Sequence, residues 1–95
     1  MIELTDSNFI EETSTGKVVV DCYAHWCGVC KVLKPKIEEI AKAKEDYKFC
    51  LLNVDSCPNT AAKLNIMNLP TIILFENGKE VKRGGLDMLS YLEGK

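Results

Sequence analysis

The chain has 95 residues, 46% hydrophobic and 27% charged, a balance that excludes disorder and low complexity and suits one folded domain over residues 1–95. Twelve Lys and Arg against fourteen Asp and Glu give a net charge of -2 with no block of like charge, so nucleic acid is not an expected partner. Apolar runs such as Val18-Val19-Val20 fall far short of the roughly 18 to 20 residues of a membrane span, and the opening residues lack a signal-peptide pattern; a soluble, cytoplasmic monomer is expected.

Ile2-Glu3-Leu4 reads as a short strand, and Thr5-Asp6 then offers an N-cap for a first helix through Phe9 and Ile10 to about Thr13. Gly16-Lys17 breaks that pattern. Val18-Val19-Val20-Asp21-Cys22-Tyr23 is a β-branched and aromatic run of the kind that forms a central strand buried on both faces. From Cys27 onward Val29, Val32, Leu33, Ile37, Ile40 and Ala41 recur at helical spacing, with Lys34, Lys36, Glu38, Glu39 and Lys42 on the other face, which predicts a long amphipathic helix. Pro35, about two turns inside, should kink this helix without ending it. Tyr47 through Val54 is a second buried strand, after which Asp55-Ser56 and Cys57-Pro58 open a short helix to Leu64. Ile72-Ile73-Leu74-Phe75 is a third strand, joined through Asn77-Gly78 to Lys79-Glu80-Val81-Lys82-Arg83 as an antiparallel hairpin. Gly84-Gly85 ends the hairpin, and Leu86, Leu89, Tyr91 and Leu92 outline a closing helix. The predicted fold is α/β, a mixed sheet of about five strands, parallel in its first half with an antiparallel C-terminal hairpin, flanked by about four helices.

Five cysteines, Cys22, Cys27, Cys30, Cys50 and Cys57, cannot all pair within one chain, and an odd count beside a substantial core favours a reducing compartment. Trp26-Cys27-Gly28-Val29-Cys30-Lys31 lies where a buried strand gives way to the long helix. Unpaired N–H groups and the helix dipole at such a junction stabilise a thiolate on Cys27. Cys30 follows one turn on, with the two Cα atoms about 5 Å apart, a separation that a disulfide tolerates. The pair can therefore open and close without refolding, Cys27 attacking and Cys30 resolving the mixed disulfide. Asp21 interrupts an apolar strand, and burial would disfavour its charged form.

Val-Asp-Cys-Tyr-Ala-His-Trp-Cys-Gly-Val-Cys-Lys, residues 20–31, resembles the active-site segment of the thioredoxin family. The similarity extends to Pro35, Asn53-Val54-Asp55, Leu69-Pro70-Thr71, Phe75-Glu76-Asn77-Gly78 and Gly84, which together span essentially the whole chain. The resemblance implies a thioredoxin fold and a protein-disulfide reductase whose redox-active disulfide is Cys27–Cys30. It also implies that Pro70 is cis and packs opposite the dithiol, and that Asp21 lies beneath Cys30 and takes its proton, directly or through water. Trp26, Gly28, Val29, Leu69, Pro70 and Gly84 match the family's apolar docking surface for substrate proteins. No metal or bound cofactor is implied; an external thioredoxin reductase or equivalent enzyme resets the pair. The chain departs from the family in carrying Gly28-Val29 where Gly-Pro is commonest, a change that bears on redox potential. It also carries Leu51 where a lysine commonly neighbours the buried aspartate, which makes Asp21 harder to ionise, and Asn68 where glycine is common.

Other readings stand beside these. Cys27 and Cys30 could be half of a zinc site completed by Cys22, Cys50, Cys57 or His25, although the chain has no second CxxC. Asp21 could be a hydrogen-bonded structural carboxylate, and Trp26 a packing residue. Cys22 and Cys50 read as core fillers, while Cys57 reads either as a bland residue at a helix start or as an exposed thiol open to oxidation or intermolecular pairing. His25 reads as a solvated loop residue. The rival functions are a thiol oxidase or isomerase of the same fold, and a redox-inert adaptor binding through Trp26 and Pro70.

Overall fold

A computed structural model describes residues 1–94. In chain order the elements are β1 (Ile2–Glu3), α1 (Phe9–Thr13), β2 (Lys17–Tyr23), α2 (Gly28–Ala43), β3 (Tyr47–Asn53), α3 (Pro58–Lys63), β4 (Thr71–Glu76), β5 (Lys79–Gly84) and α4 (Asp87–Glu93). The five strands form one mixed sheet, as the strand and helix pattern predicts, and their order across it is β1-β3-β2-β4-β5. Strands β1 and β2 run parallel to β3, whereas β4 is antiparallel to both β2 and β5. The antiparallel part is thus wider than the hairpin alone. After β3 the chain stays at the same end of the sheet through α3 and loop 64–70, so β4 starts beside the ends of β2 and β3. That end carries the site.

Strand alternation sorts the core into two layers. Val18, Val20 and Cys22 of β2 face one way, packing with Leu4, Phe9, Leu52, Ile73 and Phe75. Val19 faces the other, with Leu33 and Ile37 of α2 and Met88 and Leu92 of α4. Asp21 has the parity of Val19 and so lies on the α2 side of the sheet. The accessible surface of 5485 Å² matches the roughly 5,500 Å² that area scaling gives for a folded chain of this size.

The buried stripe of α2 is Cys30, Leu33, Ile37 and Ile40. Val29 and Val32, assigned to the apolar face by periodicity, are instead 49% and 63% exposed, because the 3-4-3 spacing of that stripe leaves them off its axis. Pro35 is carried inside the helix. Its ring and Lys31, whose carbonyl loses its donor, are both exposed, so water can replace the missing bond.

Capping differs from the local reading. Asn8, not Thr5-Asp6, is the N-cap of α1; Thr5 Oγ1 accepts the Asn8 N–H at 3.0 Å and Asn8 Oδ1 accepts the Thr5 N–H at 2.7 Å. Asp6 serves α3 instead, its Oδ1 accepting the Thr60 N–H at 2.8 Å and the Thr60 hydroxyl at 2.6 Å. These bonds hold the Asp6 carboxyl below its ordinary range. Helix α3 begins at its N-cap Cys57 with Pro58 in its first turn, within the start that Asp55-Ser56 and Cys57-Pro58 predict. The Asn77-Gly78 turn has φ of 50° and 84°, the geometry that a two-residue hairpin loop needs. Among the described residues no helix is long and apolar enough to cross a membrane.

Candidate active site

Cys27 is the N-cap of α2, one residue before the first turn, with extended backbone at φ -87° and ψ 107°. Its Sγ accepts the N–H of Cys30 at 3.2 Å, so one of the orphan donors of the helix start points at the sulfur, an arrangement that stabilises a thiolate. Cys27 and Cys30 are joined as a disulfide with Cα atoms 5.3 Å apart. In this oxidised form both cysteines are buried, Cys27 at 7% exposure and Cys30 at 4%. The reason is an apolar cluster, in which both cysteines pack with Ala24 and are flanked by Tyr23, Val54 and Leu69. Gly28 and Val29 are exposed beside them.

The sheet brings a second segment to the pair. Thr71 of β4 registers with Cys22 of β2, so the preceding Leu69-Pro70 sits at the same sheet end, and its peptide bond is cis, as the resemblance implies. Leu69 packs on the dithiol cluster. Gly84 ends β5 opposite Ile72. A Cβ there would lie 2.7 and 2.8 Å from the Asp87 carboxylate oxygens, one of which accepts the Gly85 N–H at 2.8 Å. Pro70 and Gly84 border a cleft of about 420 Å³ together with Met67, Asn68 and Arg83. Trp26 is 71% exposed, which rules out a core-packing role, and its Nε1 donates to Asp55 Oδ2 at 2.9 Å. Sequence reasoning missed this partner and also missed Met67, 77% exposed on the Pro70 loop. The available signals were an Asx-type turn at Asn53, whose Oδ1 accepts the Asp55 N–H at 2.9 Å, and a methionine two residues before Leu69.

Asp21 is buried beneath α2 at 2% exposure, and no protein group hydrogen-bonds its Oδ1. Burial pushes its pKa up to about 6, against a smaller downward pull from the charge of Lys34. Asp21 and Cys30 line one cleft of about 140 Å³, a volume roomy enough for water.

The remaining cysteines lie outside the site. Cys22, Cys50 and Cys57 are all in one buried core cluster. Burial pushes the Cys22 thiol up to about 12 and that of Cys50 up to about 11, and it raises that of Cys57 as well. The exposed-thiol reading of Cys57 is therefore corrected: its side chain turns inward and its Sγ donates to the Leu4 carbonyl at 3.3 Å. In the folded, oxidised protein an alkylating mass tag is expected to add to none of the three, and to add three times once the chain is unfolded without reductant; labelling of Cys57 under native conditions would contradict this burial. His25 is exposed, with its ring edge-on to Tyr23 at 5.6 Å. Among the described residues no three His, Cys, Asp or Glu side chains gather in a way that could hold a metal ion.

A helix-capped sulfur closed onto a second sulfur one turn away performs one kind of chemistry, the exchange of thiols and disulfides, and the molecule is a thiol–disulfide oxidoreductase of the α/β class. Residues 1–87 match the family model described as Thioredoxin. The chain is 42% identical over 84 residues to a thioredoxin of Staphylococcus haemolyticus, covering 87% of this chain and 81% of that one. It is 36% identical over 80 residues to a thioredoxin of Chlamydia trachomatis, covering 84% and 78%. The fold superposes on the oxidised form of mitochondrial thioredoxin 3 from Saccharomyces cerevisiae with a TM-score of 0.90 at 28% identity, covering 99% of this chain and 91% of that one. The chain belongs to the thioredoxin family, and its function is thiol–disulfide reduction through the Cys27–Cys30 pair.

Proposed function

We propose that Cys27 is the nucleophile, Cys30 the resolving thiol and Asp21 the proton acceptor of a general protein-disulfide reductase. The Cys27 thiolate attacks one sulfur of a substrate disulfide, forming a mixed disulfide and releasing the other substrate sulfur as a thiolate. Cys30 gives its proton to Asp21, directly or through water in the shared cleft, and attacks the Cys27 sulfur. The Cys27–Cys30 bond closes and the second substrate thiol leaves. Two electrons have passed to the substrate, and a reductase of the thioredoxin-reductase type returns two to the pair. The electrons travel on the sulfurs alone, so this cycle uses no metal or bound organic cofactor.

The observation that carries this reading is the capping geometry: the Cys30 N–H donates to the Cys27 sulfur at the start of a 16-residue helix. Substrate proteins dock on Trp26, Gly28, Val29, Leu69, Pro70 and Gly84, with Met67 extending the same surface. Support comes from the exposure of Trp26, Val29 and Met67 around an otherwise buried pair. The three unpaired thiols of the core fit a reducing compartment such as the cytoplasm, and both reacting sulfurs on one chain fit a monomer.

Equilibration across thiol/disulfide buffers, followed by quenching with an alkylating mass tag, tests the assignment. Cys27 and Cys30 should exchange two electrons together at a low potential while the other cysteines stay reduced. A high-potential couple would redirect the assignment to an oxidase or isomerase, and the absence of any coupled transition would leave an adaptor.

A further inference from the structure

Lys34 stands four residues after Cys30 on α2, one turn further along nearly the same face, and it lines the cleft that holds Asp21 and Cys30. The sheet supplies Asp21 with no charge: its register partners are Leu51 on β3 and Ile72 on β4, both buried. The ionisable groups facing the cleft are Tyr23 and His25 on the segment leading into α2, and Cys30, Lys31 and Lys34 on α2 itself. Tyr23 turns its hydroxyl to Glu3 Oε2 at 3.1 Å, and the His25 ring lies against Tyr23. Among these neighbours it is the charge of Lys34 that pulls on Asp21, opposing the effect of burial. The ion pairs among the described residues are Lys42–Glu39, Lys48–Glu12 and Arg83–Glu80. Lys34 belongs to none of them, and its charge acts on Asp21 from the lining of the cleft the two residues share.

We propose that Lys34 is a positioning residue for the resolving step: its ammonium keeps Asp21 ionised near neutral pH, ready to accept the Cys30 proton. The direction follows from charge alone. Removing the cation favours the protonated carboxyl, and a carboxyl that already holds a proton cannot take another. The loss should therefore be felt on the acid side of the pH profile and vanish on the alkaline side. Because Lys34 is exposed, its effect should also weaken as salt is added. This inference rests on the assignment of Asp21 as proton acceptor.

Two readouts separate the claims: the midpoint of the Asp21 carboxyl by carbon-detected NMR of the reduced protein, and the pH dependence of mixed-disulfide resolution by rapid quench. Lys34→Gln should raise the Asp21 midpoint by about 0.5 to 1 pH unit and slow resolution roughly 1.5- to threefold at about pH 6.5, with no change at about pH 8.5. Lys34→Arg should restore both. Lys31→Gln removes an equal charge from the same cleft and should move the midpoint much less. High salt should raise the wild-type midpoint towards that of Lys34→Gln and leave the variant's own midpoint in place. An Asp21 midpoint unmoved by Lys34→Gln, or moved as far by Lys31→Gln, would overturn the proposal. Failure of the underlying assignment looks different: Asp21→Asn would then leave the pH profile of resolution unaltered, whatever Lys34→Gln does to the carboxyl midpoint.

Discussion

Replacing Cys30 with serine is expected to arrest the molecule after its first step. The capped sulfur of Cys27 still attacks, but the hydroxyl one turn away cannot displace the substrate, so the variant accumulates as a mixed disulfide through Cys27. Turnover with a disulfide-bonded substrate protein should fall by about three orders of magnitude or more. Cys27→Ser should lose as much turnover and trap nothing, because the helix-start N–H points at the Cys27 sulfur and not at that of Cys30. Non-reducing gels and intact mass spectra read the difference directly. Equal trapping by the two variants would show that neither role is fixed, trapping by Cys27→Ser alone would reverse the roles, and an adaptor that binds without exchange would trap nothing in either variant. Serine is nearly isosteric with cysteine, so neither result would be confused with loss of fold.

Asp21→Asn is expected to make the protein more stable and less active at once. The carboxyl binds its proton more tightly in the folded chain, with a pKa near 6, than at its ordinary value of 3.8. Between those values the native state holds a proton that the unfolded chain has released, so stability falls as pH rises through this window. The cost is complete above about pH 6 and amounts to roughly 2 to 3 kcal/mol. An asparagine carries no such charge. Denaturant titrations should therefore show Asp21→Asn more stable than wild type by about that amount at neutral pH, and the gap should close below about pH 4. In the same variant, resolution of the mixed disulfide should slow by roughly ten- to a hundredfold. An unchanged midpoint in denaturant would mean that the buried oxygen is better solvated than its surroundings indicate. A carboxylate retained at such a cost to stability is what a trade between fold and chemistry produces.

The parts of this architecture legible in the sequence are those whose signals are local. Asn77-Gly78 specifies its turn from two residues, the Val18-Val19-Val20 run can only be a core strand, and the CxxC falls at a strand-to-helix boundary that both its neighbours announce. Misread features depend on partners distant in the chain. Asp6 looks like a cap for the helix beside it, yet it caps a helix 54 residues on through Thr60. Cys57 stands at a helix start in either environment, and only its packing with Leu4, 53 residues earlier, decides that it faces inward. Val32 satisfies helical periodicity as well as Leu33 does, and the sheet chooses between them. Lys34 belongs to the solvent face by pattern, and its value to the site becomes visible only when Asp21 of β2 is placed beneath α2. Asp55 could not be tied to the dithiol until β3 was known to end beside β2, nor Met67 until β4 was known to begin there.

The three thiols sealed in the core make the conformational state of the chain decide which sulfur chemistry it undergoes. While folded, exchange is confined to one end of one strand. Once the chain unfolds, five cysteines on a flexible polymer can trade the single disulfide among ten possible pairs, only one of which is native. Heating without a reductant therefore leaves the chain exposed to scrambling for as long as it stays open, whereas heating the fully reduced form leaves no disulfide to shuffle. Recovery after thermal stress is governed less by the temperature reached than by whether electrons are available when the chain cools.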